Sequence, residues 1–282
     1  MPIFTNQATL SYNNTVTNSN VVTGNIIEAL TASKNAVVDT YSRGDTVTYV
    51  ITVVNSSAVP YMGLTIADNL GAYPFGTGTL YPLTYVEGSI NYYINGVLQP
   101  APTVTVANGI TVTDVNVPAG GTAMFIYEAE ANGFAPLSVG DSIINVATIS
   151  GGNLTETITV SETVTPETAP NLSITKALCP TTDSENGQIT YTFVIQNTGN
   201  TGAVATDDLI VSDTFDPVLQ NITVTYNDTP LTLGTDYTYQ NGVFQTNSGV
   251  IEVPAATYTQ DPITGNLVIN PGVTVITVTG TV

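Results

Sequence analysis

The 282-residue sequence has no histidine, no tryptophan, one cysteine and only three basic residues. Without histidine, a Ser-His-Asp triad, a Cys-His pair and any His-ligated zinc or iron site are excluded. Three Lys and Arg against 22 Asp and Glu give a net charge of −19. Nucleic acid and anionic membrane surfaces need basic clusters, so both are excluded as partners. Since Cys179 has no second cysteine to pair with, an internal disulfide is also excluded.

Long apolar segments are absent as well. No run of 18 apolar residues occurs, so we expect no membrane insertion. The start of the chain lacks the basic and apolar regions of a secretory signal. We therefore expect that the chain works inside the cell, leaves by another route or is freed when a cell lyses. What the sequence has in abundance is threonine, with 49 residues, beside many valines. Both residue types are β-branched and favour strands, so the fold class predicted is all-β.

The sequence contains two copies of one pattern. Residues 46–56 match residues 188–198, and both segments alternate as half-buried strands do. Lys34 and Lys176 occupy equivalent places upstream of these strands. Each copy also carries a Tyr-rich segment around an Asn-Gly pair, at residues 92–97 and 237–243. An Asn-Gly pair between strands predicts a type I′ hairpin. The chain is long enough for two domains that each bury a core.

The two copies end differently. The first copy closes with a strand at residues 142–150, and the second reaches Val282 without one. A similar segment instead opens the chain, where residues 3–11 match 142–150 and Asn6 falls on Asn145. By pattern, the first strand belongs to the end of a preceding domain.

Two arrangements of this first strand are open. It folds back in cis onto the second domain, or it inserts into the second domain of the next subunit. A linker of about 20 residues would be stretched by the cis path past the first domain, so we expect the trans arrangement. That is donor-strand complementation, and it produces a head-to-tail homopolymer. The donor residues would be Phe4, Asn6, Ala8 and Leu10.

The predicted organisation follows from these matches. It comprises a donor strand at 1–12, a linker at 13–29, a first domain at 30–150, a linker at 151–170, and a second domain at 171–282 that lacks its last strand.

Polar residues recur on the predicted core face of both copies. They are Lys34, Asp68 and Asn145 in the first copy, and Lys176, Asp213 and Asn6 for the second. A buried amine of lowered pKa, beside an acid that polarises an amide, favours a self-formed Lys–Asn isopeptide bond. Glu128 is a rival candidate for the acid. The alternative is a non-covalent Lys–Asp pair in which the aspartate holds a turn.

Two weaker patterns concern ligands. Four carboxylates near one turn are candidates for Ca²⁺: Asp207, Asp208, Asp213 and Asp216. The tyrosines that could stack on sugars are Tyr81, Tyr85, Tyr92, Tyr93, Tyr237 and Tyr239, although paired strand tyrosines commonly support a sheet. No catalytic residues and no cofactor are expected.

These features together resemble a known family. The strand that starts at each lysine, the Thr-Tyr-x-Ile strand ending in Asn, the Ser-Asp-Thr turn and the Asn-x-Ala-Thr strand resemble the conserved-repeat domain of bacterial surface proteins (domain of unknown function eleven). The resemblance implies immunoglobulin-like sandwiches and a stalk, adhesin or surface-layer role. We therefore expect a non-enzymatic, pilus-like filament subunit, extracellular or on the surface of a cell or spore. The alternative is a monomeric surface adhesin or carbohydrate-binding module.

Overall fold

The computed structural model describes residues 3–25, 29–181 and 187–282. The regular secondary structure of these residues is β-strand, apart from one 3₁₀ turn at Ala205–Asp207. The fold is two tandem immunoglobulin-like β-sandwiches, each around its own apolar core, which confirms the predicted fold class. None of the described segments forms a helix of the length and apolarity that crossing a bilayer would take.

A hairpin precedes the first sandwich. It consists of β1 (Ile3–Asn6), β2 (Thr9–Tyr12), β3 (Thr15–Asn18) and β4 (Val22–Asn25). β1 pairs antiparallel with β4, and β2 pairs with β3. The connecting residues Asn13 and Asn14 both have positive φ, as a type I′ turn requires. The segment predicted as a linker at 13–29 therefore contains two strands, while residues 26–28 lie outside the described part.

The first sandwich follows directly. Its strands are β5 (Leu30–Ala36), β6 (Thr40–Tyr41), β7 (Thr46–Asn55), β8 (Tyr61–Asp68), β9 (Tyr73–Phe75), β10 (Gly78–Leu80), β11 (Leu83–Tyr85), β12 (Asn91–Ile94), β13 (Val97–Leu98), β14 (Val104–Ala107), β15 (Gly109–Val117), β16 (Thr122–Ala131), β17 (Ile143–Gly151) and β18 (Ile158–Pro166). One sheet has the order β13-β12-β16-β7-β5, and the other has the order β14-β15-β8-β17-β18-β6.

The last strand of this sandwich corrects a sequence prediction. Residues 151–170 were expected to be a linker, but β18 pairs with β17 over seven residues and packs against β5. Val164 on β18 is fully buried. The segment has a polar, Thr- and Glu-rich composition typical of a linker, whereas its alternating Ile158, Val160 and Val164 are the signal of a strand.

The second sandwich contains fewer strands over its described residues. They are β19 (Leu172–Cys179), β20 (Gln188–Asn197), β21 (Ser212–Thr214), β22 (Gln220–Tyr226), β23 (Thr229–Pro230), β24 (Tyr237–Gln240), β25 (Val243–Thr246), β26 (Thr257–Gln260), β27 (Leu267–Asn270) and β28 (Gly272–Thr281). Its five-stranded sheet has the order β19-β20-β28-β22-β23, and the facing sheet has the order β21-β25-β24.

The two sandwiches correspond strand by strand up to one edge. Asp68 on β8 pairs with Ile110 of β15, as Asp213 on β21 pairs with Phe244 of β25. On its other side, β8 pairs with β17 at Ala147. The described residues of the second sandwich provide β21 with no strand on that side, so its facing sheet stops where β17 and β18 would follow.

The topology also shows that the two Tyr-rich hairpins, which the sequence match predicted to be equivalent, are not counterparts of each other. β12 and β13 lie in the sheet of β16, whereas β24 and β25 lie in the opposite sheet. Their Asn95-Gly96 and Asn241-Gly242 turns do have the positive φ values of a type I′ turn. The counterpart of β12–β13 is β22–β23, which pairs with β28.

One hairpin of the second sandwich reaches the first. In β26–β27, Leu267 donates its amide to the carbonyl of Gly133 at 2.8 Å and accepts from Arg43 at 2.7 Å. Gln260 donates to the Tyr73 hydroxyl at 2.9 Å. These bonds attach the second sandwich to one end of the first.

Candidate functional site

The first sandwich holds an ion pair inside its core. Lys34 extends from β5, where it lies opposite Ile51 of β7, and Asp68 ends β8 in the facing sheet. The Lys34 Nζ contacts Asp68 Oδ2, and the side chains are 0% and 1% exposed. The amine also lies 4.9 Å from the centre of the Tyr49 ring, which offers a further stabilising contact. The sequence prediction that both residues face the core agrees with this geometry.

Tyr127 joins the ion pair to the asparagine. Its hydroxyl donates to Asp68 Oδ2 at 2.6 Å and accepts from Asn145 Nδ2 at 3.0 Å. Asn145 is completely buried, and its Oδ1 has no hydrogen-bond partner among the described residues. Lysine, carboxyl, phenol and amide thus form one continuous chain across the sandwich. The unpartnered oxygen is unusual, because burying a polar atom without a partner costs free energy.

Sequence reasoning missed Tyr127 and named Glu128 as a rival to Asp68 for the acid. On β16, Phe125, Tyr127 and Ala129 are among the buried residues, while Glu128 is exposed. The expectation that Glu128 faces the core is therefore wrong. Both faces of this strand carry apolar residues, so alternation alone could not distinguish them. The signal available was Tyr127 itself, which lies opposite Tyr49 in the register.

Burial controls protonation at this site. It lowers the pKa of Lys34 from 10.5 to about 8, against the opposing effects of Asp68 and, more weakly, Glu162. Burial also raises the pKa of the Tyr127 hydroxyl well above its ordinary value, and the negative charge of Asp68 adds to this. A substantial fraction of neutral amine near pH 8 is what a nucleophilic lysine requires.

The second sandwich contains an equivalent Lys–Asp ion pair that is partly exposed to solvent. Lys176 Nζ contacts Asp213 Oδ2, but the lysine side chain is 40% exposed and the aspartate 19%. Lys176 lies opposite Phe193 as Lys34 does opposite Ile51, and its amine is 4.4 Å from the centre of the Tyr191 ring. The two pairs are therefore equivalent in position and differ in burial.

The strand that carries Lys176 is exposed along its whole length. Leu172, Ile174 and Leu178 share the face of Lys176 and are 36%, 55% and 37% exposed. In β5, by contrast, Leu30 and Lys34 are buried. The difference arises because β18 packs against β5, whereas the described residues place no equivalent strand on β19. The result is an exposed apolar face of β19 beside an ion pair. Together with the free edge of β21, this face is called the acceptor groove below.

The second site also lacks the phenol. Tyr127 lies opposite Tyr49, and the residue opposite Tyr191 is Val278. No asparagine of the second sandwich takes the place of Asn145, because the strand that would carry it is missing among the described residues. Asn6, the predicted counterpart, lies in the N-terminal hairpin and pairs with Val22.

The predicted donor residues are presented to solvent. Phe4 is 55% and Leu10 is 61% exposed, and every described side chain from Ile3 to Thr23 is exposed. The hairpin is paired with itself rather than with the second sandwich of its own chain.

Three of the four carboxylates considered for Ca²⁺ have separate partners. Asp207 accepts from the Val204 amide at 2.8 Å, Asp208 from the Ser248 hydroxyl, and Asp213 from Lys176. Over the described ranges, no group of three or more acidic, His or Cys residues is arranged to hold a metal ion. The tyrosines Tyr85 and Tyr237 are buried in the two cores rather than displayed for sugars.

Comparison with known proteins gives matches in structure only. No protein-family model matches the chain, and no curated protein is similar to it in sequence. The major pilin subunit of Bacillus cereus aligns over 94% of this chain and 70% of its own, with a TM-score of 0.39 and 11% identity. The pilus backbone of Streptococcus pneumoniae aligns over 86% of this chain with a TM-score of 0.36 and 14% identity, and the chain spans 55% of that structure. The collagen-binding ACE19 subdomain of an Enterococcus faecalis surface protein aligns over 50% of this chain and 99% of its own, with a TM-score of 0.31 and 10% identity.

The difference in burial predicts unequal costs of removing the two aspartates. Asp68→Asn leaves a charged lysine unpaired in the core and should lower the free energy of unfolding by about 3–5 kcal/mol. Asp213→Asn acts on a solvent-screened pair and should cost less than about 1 kcal/mol. Denaturant unfolding, followed by tyrosine fluorescence in a chain lacking residues 1–25, measures both. Equal costs would contradict the difference in burial.

Proposed function

We propose that the protein is a structural subunit that polymerises head-to-tail on the surface of a bacterial cell or spore. The N-terminal strand of one subunit would enter the acceptor groove of the second sandwich of the next. The observation that carries this proposal is the incomplete Lys176–Asp213 site, which has the lysine and the acid of the closed site but, over the described part of the second sandwich, neither its asparagine nor its covering strand.

The donor segment fits the vacant position residue by residue. In β17, the side chains of Ile143, Asn145, Ala147 and Ile149 are buried, and the matching residues of the N-terminal segment are Phe4, Asn6, Ala8 and Leu10. The insertion would add a strand beside β21 and satisfy its free edge. It would also bring Asn6 to the Lys176–Asp213 pair, as Asn145 stands to Lys34 and Asp68.

The geometry of such a joint determines the kind of assembly. The donor surface lies at the start of the chain and the acceptor lies in the second sandwich, so the contact is heterologous. A heterologous contact produces an open fibre unless its rotation happens to close a ring. The composition suits an exposed fibre, because the chain offers only Lys34, Arg43 and Lys176 to trypsin-like proteases.

The closed site of the first sandwich supports a second element of the proposal, an isopeptide bond between Lys34 and Asn145. The neutral Lys34 amine would attack Cγ of Asn145, forming a C–N bond while the bond to Nδ2 breaks. The lysine proton would pass to Asp68 and then through the Tyr127 hydroxyl to Nδ2, which leaves as ammonia. The hydrogen bonds from Tyr127 to Asp68 and from Asn145 to Tyr127 join the atoms of this path. The hydroxyl would turn its proton from Asp68 to Nδ2 once the attack has removed the amide resonance and that nitrogen can accept it. No oxidant or cofactor is consumed.

The joint between subunits would use the same chemistry with one part missing. Val278 takes the place of Tyr127, so a bond between Lys176 and Asn6 would need direct contact of the amide with Asp213. The covalent lock is therefore proposed first for the closed sandwich. At the joint, donor-strand pairing is the primary interaction and the covalent bond is an addition to it.

Polymerisation is tested by two neighbouring substitutions on opposite faces of the donor strand. Phe4→Asp places a charge at a position that corresponds to buried Ile143, and it should abolish fibres because an unpaired charge in the acceptor core is costly. Thr5→Asp places the same charge at the position of exposed Ile144 and should leave fibres intact. Negative-stain microscopy and light scattering measure the outcome, with a chain lacking residues 1–12 as the non-polymerising reference. Isolated particles from the unaltered chain would contradict the proposal and favour the monomeric adhesin.

The intramolecular bond is tested by mass. A chain lacking residues 1–25 should be lighter than its sequence mass by one ammonia, and Lys34→Arg should restore the full mass. After refolding, bond formation should slow as the pH is lowered below about 8, because the pKa of Lys34 is lowered to that value and the protonated amine cannot attack. Tyr127→Phe should slow the reaction without preventing folding. If the chain kept its full sequence mass at every pH, the bond between Lys34 and Asn145 would be contradicted and Lys34 would be part of a non-covalent pair with Asp68.

The covalent state of the joint is a separate measurement. Fibres boiled in SDS would run as a ladder if Lys176 and Asn6 were linked, and Asn6→Ala would remove the ladder while retaining fibres. Complete dissolution of unaltered fibres would identify the joint as non-covalent.

A further inference from the structure

We infer that the acceptor groove receives both arms of the N-terminal hairpin, residues 3–12 and 15–25, from a second copy of this chain, rather than a single donor strand. This inference rests on the proposed head-to-tail assembly and specifies the partner's contribution to it. The occupant of the groove would be residues 3–25 of the neighbouring subunit, and the surface they cover would be the exposed face of β19 together with the free edge of β21.

The closed sandwich indicates what the open one lacks. β17 supplies Asn145, but β18 is the strand that packs against β5, which carries Lys34. Val164 of β18 is fully buried, and Glu162 contributes to the electrostatic environment of Lys34. A single strand in the position of β17 would close the edge of β21 and would still leave β19 uncovered. Burying Lys176 and its apolar neighbours requires a second strand in the position of β18.

The sequence of the second hairpin strand matches β18. At the offset of 142 that relates Lys34 to Lys176, residues 15–25 fall on 157–167. Five of these eleven positions are identical, namely Thr15, Thr17, Ser19, Val22 and Thr23, and Val16 falls on Ile158. The sequence repeat therefore extends over both arms of the hairpin, with a connection shorter by three residues, since the first strand matches at an offset of 139. In the hairpin Val22 lies opposite Asn6, whereas in the closed sandwich Val164 lies opposite Ile143, so insertion would shift the register of the two arms by two residues.

The shape and charge of the hairpin agree with this role. The segment is already a two-stranded antiparallel unit, and such a unit is at best marginally stable alone in water. Its apolar side chains, including Val16 and Val22 at 64% and 56% exposure, have no core to pack into. Residues 3–25 also contain no Asp, Glu, Lys or Arg, although the chain has 22 acidic residues. The hairpin can therefore enter a groove of an acidic protein without burying a charge.

Two adjacent residues distinguish the inference from single-strand donation. Val22 corresponds to fully buried Val164, whereas Val21 corresponds to exposed Thr163. In the hairpin itself the two valines are 56% and 54% exposed. Val22→Asn should raise the critical concentration for fibre formation by about tenfold or more, because it puts an amide into an apolar core. Val21→Asn should leave it unchanged.

The measurement uses the full chain, with critical concentrations obtained by sedimentation. Hydrogen exchange of unaltered fibres provides a second measurement that does not depend on substitutions, and protection of amides in both 3–12 and 15–25 is expected. Fibres with protection of 3–12 alone, or equal behaviour of the two asparagine variants, would overturn the inference and leave the proposed function in place. The absence of fibres from the unaltered chain would instead overturn the proposed function on which the inference rests.

Discussion

The structure depends on placing a lysine inside a β-sandwich. A buried ammonium group requires a carboxylate in contact, and the pair is stable only when the surrounding chain excludes water and supplies further polar contacts. Lys34 meets these conditions through Asp68, the Tyr49 ring and the phenol of Tyr127. Every element that closes the first sandwich, above all the β17–β18 hairpin, contributes to sealing that pair.

The second sandwich has the same requirement and meets only part of it. Lys176, Asp213 and Tyr191 are arranged as their counterparts are, so the sequence preserves the interaction, although the described residues of the second sandwich place no covering strand over it. An exposed Lys–Asp pair contributes little to stability. Its equivalence to a buried pair is therefore difficult to explain within one chain, and it is readily explained if the site becomes buried on assembly.

The sequence predicted the core face correctly where polar residues mark the opposite face. In β7, Val47, Tyr49, Ile51 and Val53 alternate with a face that carries three threonines, and they form the buried side. Alternation could not identify the buried side of β16, where apolar residues occupy both faces and Glu128 was assigned to the core. The alternation pattern therefore could not identify Tyr127, whose hydroxyl joins the acid to the amide, because this role depends on a contact between the two sheets.

Two further errors have a common physical origin. β18 has the polar composition of a linker, but it pairs with β17 and packs against β5 as a strand of the sandwich. The Asn-Gly turns were identified correctly, but turn chemistry is local and does not determine which sheet a hairpin joins. Composition and turns report on a few neighbouring residues, whereas the position of a strand is determined by the face it must cover.

The distribution of charge along the chain bears on how copies of the protein would associate. With a net charge of −19, copies of this chain repel one another, and repulsion weakens association. The repulsion is least where the proposed contact lies, because the N-terminal hairpin carries no charge and the acceptor groove contains Lys176, one of three basic residues. In the proposed assembly, a net acidic chain with an uncharged donor and a lysine in its acceptor would disfavour lateral aggregation of exposed edges relative to end-to-end insertion. The scarcity of basic residues and the uncharged N-terminus would then serve a single purpose, which is to direct an exposed strand edge to one partner.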